Sequence, residues 1–126
     1  MNPFELPDPV GFAHATVARG EIVFLAGQTG ADIDGRIVDG GIVSQFDRAL
    51  QNLLTALAAA GGSPQHLASL TIYVTDIADY RTNTRPIGAV WRARVGAEYP
   101  AMALIEIRRL WDPDAHIELQ GFAVLP

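Results

Sequence analysis

The sequence of 126 residues contains no cysteine and no lysine, so its nine basic residues are all arginines. The absence of cysteine excludes thiol nucleophiles, zinc-thiolate sites and disulfides. The absence of lysine excludes catalysis through a lysine Schiff base. No apolar run approaches the ~20 residues that a membrane-spanning helix needs, and the start of the chain lacks the regions of a signal peptide. We therefore expect a cytoplasmic protein with no membrane partner.

Histidine is scarce as well, and its spacing does not suggest a metal site. His14, His66 and His116 are far apart in the sequence, and none belongs to a metal-binding motif. A phosphate-binding loop is not supported either, because the segment 27–30 lacks the Gly-Lys-Ser/Thr ending. We expect no metal and no cofactor.

Negative charge is in excess, with a net charge of −5. The basic residues cluster only at Arg108-Arg109 and at Arg92 and Arg94, which is a poor surface for a polyanion. We expect no nucleic-acid partner. Hydrophobic residues make up 49% of the chain, enough to fill one core. The sequence thus predicts a single domain over residues 1–126, in which three prolines keep residues 1–10 irregular.

The hydrophobic pattern predicts an α+β fold in which two helices pack on one face of a mixed sheet. Ser44 and Asp47 have the spacing of a capping box, and Gly61-Gly62 ends the helix that follows. Pro86 interrupts the second helical region, so its better part starts at Ile87. The expected order is ββαβαββ: strands over 13–18 and 22–26, a helix over 44–60, a strand over 68–75, a helix over 87–95, and strands over 101–107 and 116–123.

The second face of this sheet has no element left to cover it. Side chains alternate along a strand, so Met102 and Leu104 are expected on that face together with Glu118 and Phe122. A face that mixes carboxylates with large apolar groups is typical of an interface or a pocket wall. Self-association is the economical way to cover it.

Several motifs resemble those of the Rid family, also called the YjgF family. Pro100-Ala101 and 105–107 resemble the family's Pro-Ala-Arg and Val-Glu-Val, and 117–119 resembles its final strand. Gly27-Gln28 and Thr75-Asp76 resemble its Gly-Gln and Thr-Asp strand ends. The resemblance extends through most of the chain. It implies a YjgF-like (chorismate-mutase-like) fold and a homotrimer with a central β-barrel, with small-molecule ligand pockets between subunits.

One position departs from the family pattern. Met102 stands where deaminating members carry the arginine that grips a substrate carboxylate, and a thioether carries no charge. Glu118 matches the family's site glutamate, which the resemblance implies to be catalytic by holding water. The alternative is that Glu118 pairs with Arg108, Arg109 or a neighbouring subunit.

The resemblance also indicates which residues contact a ligand. His14 falls in the N-terminal segment that borders the family's pocket, although a lone histidine is commonly a structural hydrogen-bonding group. Gly27 would present its backbone to the ligand, and the apolar Met102 and Leu104 would make the pocket less polar than that of a deaminase. The predicted substrate-binding residues are Phe12, His14, Gly27, Tyr99, Met102 and Leu104.

Three functions remain open from the sequence. The first is a Rid-like hydrolase or deaminase of a reactive imine or enamine, in which Glu118 positions water. The second is a non-catalytic trimer that binds a small molecule. The third is a pathway-specific enzyme with different chemistry on the same fold. A replacement for the missing cation could come from four arginines: Arg19, Arg81, Arg85 and Arg94.

Overall fold

A computed structural model describes residues 1–126 and contains one four-stranded sheet in the order β1-β4-β2-β3. β2 and β3 are parallel, whereas β4 is antiparallel to both β1 and β2, so the sheet is mixed. The predicted α+β class is confirmed. The elements are β1 (Glu21–Thr29), α1 (Gly41–Ala59), a 3-10 turn (Pro64–His66), β2 (Leu67–Val74), α2 (Ile77–Thr82), α3 (Thr84–Arg94), β3 (Ala101–Glu106) and β4 (Ile117–Leu125).

The core lies between α1 and one face of the sheet. Phe46, Leu50, Leu53 and Leu57 recur at three- and four-residue steps on α1 and are fully buried. They belong to one cluster with buried residues of β2 and β4, and Trp91 of α3 joins it. Each such side chain contributes about 1.5–3 kcal/mol through burial. This packing fixes which face of the sheet the helices cover.

The strand expected over residues 13–18 does not form. The segment contributes a single bridge, between Ala13 and Ala101 at the outer edge of β3. The Ala13 N–H donates to the Pro100 carbonyl at 2.9 Å, but the Ala101 N–H donates to the Thr16 hydroxyl at 2.9 Å. A side chain replaces the backbone acceptor that a continued ladder would need, so the segment follows the edge without becoming a strand.

The start of α1 also differs from the prediction. The helix begins at Gly41 after Gly40, whose φ of 107° is left-handed, and no side chain caps it. Ser44 and Asp47 lie inside the helix, so the predicted capping box is wrong. Two glycines with positive φ make the turn that a capping side chain would otherwise direct. The predicted end is confirmed, because Gly61 adopts a φ of 90° and the Gly62 N–H donates to the Leu57 carbonyl at 2.9 Å.

The second helical region forms two helices rather than one, which makes the order βαβααββ. Asp76 caps α2 by accepting from the N–H groups of Ala78 and Asp79 at 3.1 and 3.2 Å. Glu106 accepts from the Ile77 N–H at 2.9 Å, so this carboxylate of β3 has a structural partner. Pro86 lies in the first turn of α3, where its missing N–H leaves no helical hydrogen bond broken.

The prediction that Met102 and Leu104 lie on the open face of the sheet is wrong. They pair with Leu70 and Ile72 of β2, which are buried, and they pack against the core on the helix side. Apart from Glu106 at its end, β3 is apolar on both faces, so alternation alone could not orient it; its register with β2 does. Glu118 and Phe122 do lie on the open face, as expected from their buried neighbours on β4.

No helix of the structure is both long and apolar enough to span a bilayer.

Candidate functional site

Glu118 lies on the open face of the sheet beside an irregularity in β1. The register between β1 and β4 shifts between Leu25 and Gln28, so two residues of β1 lie opposite one residue of β4 there. Gly27 is one of them, and a Cβ built on it would overlap the Glu118 Oε1. Glycine in a strand is typical of such a close approach. The structure therefore brings together two of the sequence-predicted site residues, Gly27 and Glu118.

The Glu118 carboxylate has no ion-pair partner within the chain, since the one ion pair joins Arg94 to Asp47. The alternative of an intrachain pair with Arg108 or Arg109 is thus not observed. Its register neighbours are Thr29 on β1 and Tyr73 on β2. The side chain is half-buried. A carboxylate in this position has its oxygens free to accept hydrogen bonds from water or a ligand.

The predicted binding residues Phe12, Met102 and Leu104 meet on the opposite face. They line a cavity of about 280 Å³ between the N-terminal segment, α2 and the edge strand β3. We call this cavity the helix-side cleft. Its remaining lining residues are Val10, Gly11, Ile72, Ile77, Tyr80, Arg81, Thr84 and Ala103. A second lobe of about 250 Å³ shares Met102 and Tyr80 and extends to Tyr99, whose ring stacks on Trp91 at 5.2 Å.

Tyr80 supplies a polar group to both lobes of the cleft. Burial, followed by the neighbouring Tyr99, raises the pKa of the Tyr80 phenol above its usual 10.0. The hydroxyl therefore stays protonated near neutral pH and is able to donate a hydrogen bond. Sequence reasoning did not name Tyr80 or Thr84 as site residues, because which side chains of this helical region line the cleft depends on how α2 and α3 pack beside β3.

His14 does not line the cleft. Its Nε2 lies 2.8 Å from the Pro7 carbonyl, and its backbone N–H donates to Asn2 Oδ1 at 3.0 Å. The ring packs edge-on against Phe12, with centroids 5.1 Å apart. These contacts match the structural reading of a lone histidine: His14 holds the N-terminal segment behind Phe12.

Within one chain, Glu118 and Met102 are not neighbours. They lie on opposite faces of the sheet, and β2 separates their strands, which places those strands about 9–10 Å apart. The predicted site residues therefore form two groups, Gly27 with Glu118 and the lining of the helix-side cleft. No group of three or more histidine, aspartate or glutamate side chains is placed to hold a metal ion.

The fold is that of a known class. Residues 6–125 match the family described as Endoribonuclease L-PSP. The chain belongs to this family, that of the Rid or YjgF proteins. A RutC family protein of Pyrococcus abyssi is 30% identical over 118 residues, covering 93% of this chain and 89% of the relative.

Two further comparisons extend the likeness over nearly the whole chain. The human 2-iminobutanoate/2-iminopropanoate deaminase is 25% identical over 125 residues, covering 98% of this chain and 88% of its own. The crystal structure of the Rid family protein YyfB from Yersinia pestis, whose function is unknown, superposes with a TM-score of 0.88 at 28% identity. That match covers 99% of this chain and 96% of the other. The family includes 2-iminobutanoate deaminases.

Proposed function

We propose that this protein hydrolyses a reactive imine or enamine to a carbonyl compound and ammonia. The observation that carries the proposal is the Glu118 carboxylate, which is unpaired within the chain and lies against the backbone of Gly27. The deaminase among its relatives supports the same reaction class. The cytoplasmic location and the absence of a nucleic-acid partner stay predictions.

In the proposed mechanism Glu118 accepts a hydrogen bond from a water molecule. As the water oxygen attacks the imine carbon, the carboxylate takes one proton and later returns it to the nitrogen. Glu118 then takes the hydroxyl proton of the resulting carbinolamine and passes it to the amino group, so that the carbon–nitrogen bond breaks and ammonia leaves as the carbonyl forms. Water is the only co-reactant, so no metal or redox group is required. Gly27 has no side chain and therefore leaves room for the Glu118 carboxylate.

The proposal includes a homotrimer. The open face of the sheet exposes large apolar side chains on three strands, with 61% of Ile22, 76% of Phe24, 41% of Phe122 and 43% of Ile105 accessible. Large apolar side chains exposed on one face of a sheet are typical of an interface. Assembly through this face would also bring the helix-side cleft of one subunit near Glu118 of its neighbour. A single chain lacks this arrangement. We place the ligand pocket at that boundary.

The test is ammonia release from freshly generated 2-iminobutanoate and 2-iminopropanoate by the wild type and Glu118→Gln. The variant keeps the shape of the side chain but cannot accept a proton as a carboxylate does. We expect wild-type turnover above the spontaneous rate and a loss of about 100-fold or more in the variant. Turnover that is unchanged by Glu118→Gln would remove Glu118 from the mechanism.

A non-catalytic binding protein is the second candidate, and the observation that favours it is Met102. The residue places a thioether in the cleft, where the resemblance implies an arginine in deaminating members. A binding protein would show no wild-type turnover with either substrate. Turnover gained by Met102→Arg would then show that the water site is competent while the natural ligand is of another kind.

A further inference from the structure

Arg81 lines the helix-side cleft beside the residues that make it apolar. Eight of its eleven lining residues are hydrophobic if Tyr80 is counted for its ring, and they include Phe12, Met102 and Leu104. The polar groups come from one short stretch of chain, at Tyr80, Arg81 and Thr84. This lobe thus combines an apolar wall with one guanidinium group, whereas Arg92 lines the second lobe. Such a combination is suited to a ligand with one charged end and one apolar end.

The Arg81 guanidinium has no ion pair and no hydrogen bond within the chain. Only two of the nine arginines have a side-chain partner: Arg94 pairs with Asp47, and Arg48 donates to Asn52 Oδ1 at 3.3 Å. What distinguishes Arg81 from the other unpartnered arginines is its place in this lobe of the cleft. Arg81 is held by its backbone instead, since its carbonyl accepts from the Thr84 hydroxyl at 3.2 Å at the junction of α2 and α3. The backbone of Arg81 is therefore held in place, while its exposed guanidinium keeps five N–H donors available.

We propose that the helix-side cleft binds a small carboxylate with an apolar side chain, and that Arg81 holds the carboxylate. This inference rests on the proposed function, because it names the substrate class of the same pocket. A guanidinium fork matches the two oxygens of a carboxylate, and the Tyr80 phenol adds a second donor. The apolar side chain packs on Phe12, Met102 and Leu104.

The size of the cleft limits the ligand. The lobe that Arg81 lines has a volume of about 280 Å³, near the lower end of small-molecule sites, so this lobe fits a short fatty acid or a single amino-acid-like molecule. The methyl group and sulfur of Met102 occupy the place where a charged side chain would contact the ligand. The residue that holds the carboxylate is therefore Arg81, at the junction of α2 and α3, and not a residue of β3. The apolar side chain of the ligand occupies the space beside β3.

The test compares hexanoate with hexanamide, which has the same shape and no charge. The chain contains two methionines, Met1 and Met102, so a carbon-13 methyl spectrum has one signal inside the cleft and one reference signal. We expect hexanoate to shift the Met102 signal saturably, and to bind at least about tenfold more tightly than hexanamide.

Arg81→Met should remove this preference, while the matched variant Arg85→Met, an exposed arginine on α3, should keep it. Equal affinity for acid and amide, no saturable shift with hexanoate, or equal losses in both variants would overturn the inference. The binding test is independent of turnover. Failure here with an active wild type would leave the hydrolase proposal standing, whereas binding without turnover would leave Arg81 as the anchor of a binding protein.

Discussion

The backbone of Gly27 and the carboxylate of Glu118 occupy adjoining space, so a Cβ on residue 27 would overlap Glu118 Oε1. The contact crosses from β1 to β4 at the point where their register shifts. It combines a bulge, a glycine and an unpaired carboxylate in one place. Bulges are frequent next to active sites because they redirect local groups.

Gly27→Ala should displace the Glu118 carboxylate and reduce imine hydrolysis by about 100-fold, because small misplacements of a catalytic group are costly. The fold should survive, since Gly27 does not need a positive φ and the displaced atoms are at the end of a flexible side chain. Ammonia release and urea unfolding together measure both effects. In a double-mutant cycle with Glu118→Ala, the stability cost of Gly27→Ala should shrink; a cost that stays the same would show that the two residues do not interact.

Phe122→Arg should convert a trimer to monomers at micromolar concentration. Phe24 and Phe122 contact each other edge-on at 5.4 Å on the open face, and a guanidinium there would be buried without a partner in the proposed assembly. Sedimentation velocity measures the change. Ile33→Arg is the matched control, because Ile33 is 94% exposed in the loop after β1, away from the sheet face. A wild type that sediments as a monomer would contradict the assembly and the pocket between subunits.

Gln45→Leu should lower the free energy of unfolding by about 2–4 kcal/mol. Gln45 is 4% exposed, accepts from the His116 N–H at 2.8 Å and donates to the Asp114 carbonyl at 3.2 Å. The substitution leaves both backbone groups of the β3–β4 loop without these partners. Urea denaturation should show a change within about 0.5 kcal/mol for Gln51→Leu, an exposed position on the same helix. A similar loss of stability in both variants would mean that the two Gln45 hydrogen bonds to the β3–β4 loop contribute little to stability.

Stability should fall as the pH rises above about 10, because the pKa of Tyr80 is raised from 10.0 in the folded protein. Below pH 10 the phenol is protonated in both states and contributes no pH dependence. Above it the unfolded chain ionises first, which favours unfolding until the folded pKa is passed. Urea unfolding between pH 8 and 11 should give a steeper decline for the wild type than for Tyr80→Phe. Parallel declines would exclude Tyr80 as the cause.

The sequence predicted an element of the fold correctly where its hydrophobic pattern allowed one arrangement. Leu50 and Leu53 share a helical face with Phe46, and Ile117 and Leu119 alternate with Glu118, so α1 and the faces of β4 followed directly. The strand over 13–18 was wrong because its partner would have been an edge strand, whose pairing depends on tertiary contacts. The capping box at Ser44 was wrong because two preceding glycines allowed the helix to start earlier.

The sequence by itself determined the chemistry that is available: no thiol, no lysine amine, a glutamate in the last strand and a methionine at position 102. Only the tertiary structure decided how these groups are arranged. Met102 lies on the helix side because β3, apart from Glu106, is apolar on both faces and takes its orientation from β2. Glu118 lies against Gly27 because a bulge in β1 shifts the register. Arg81 lines the cleft because the chain between β2 and β3 folds into two helices. Residue identity is local, whereas face, register and helix junctions are set by packing between distant segments.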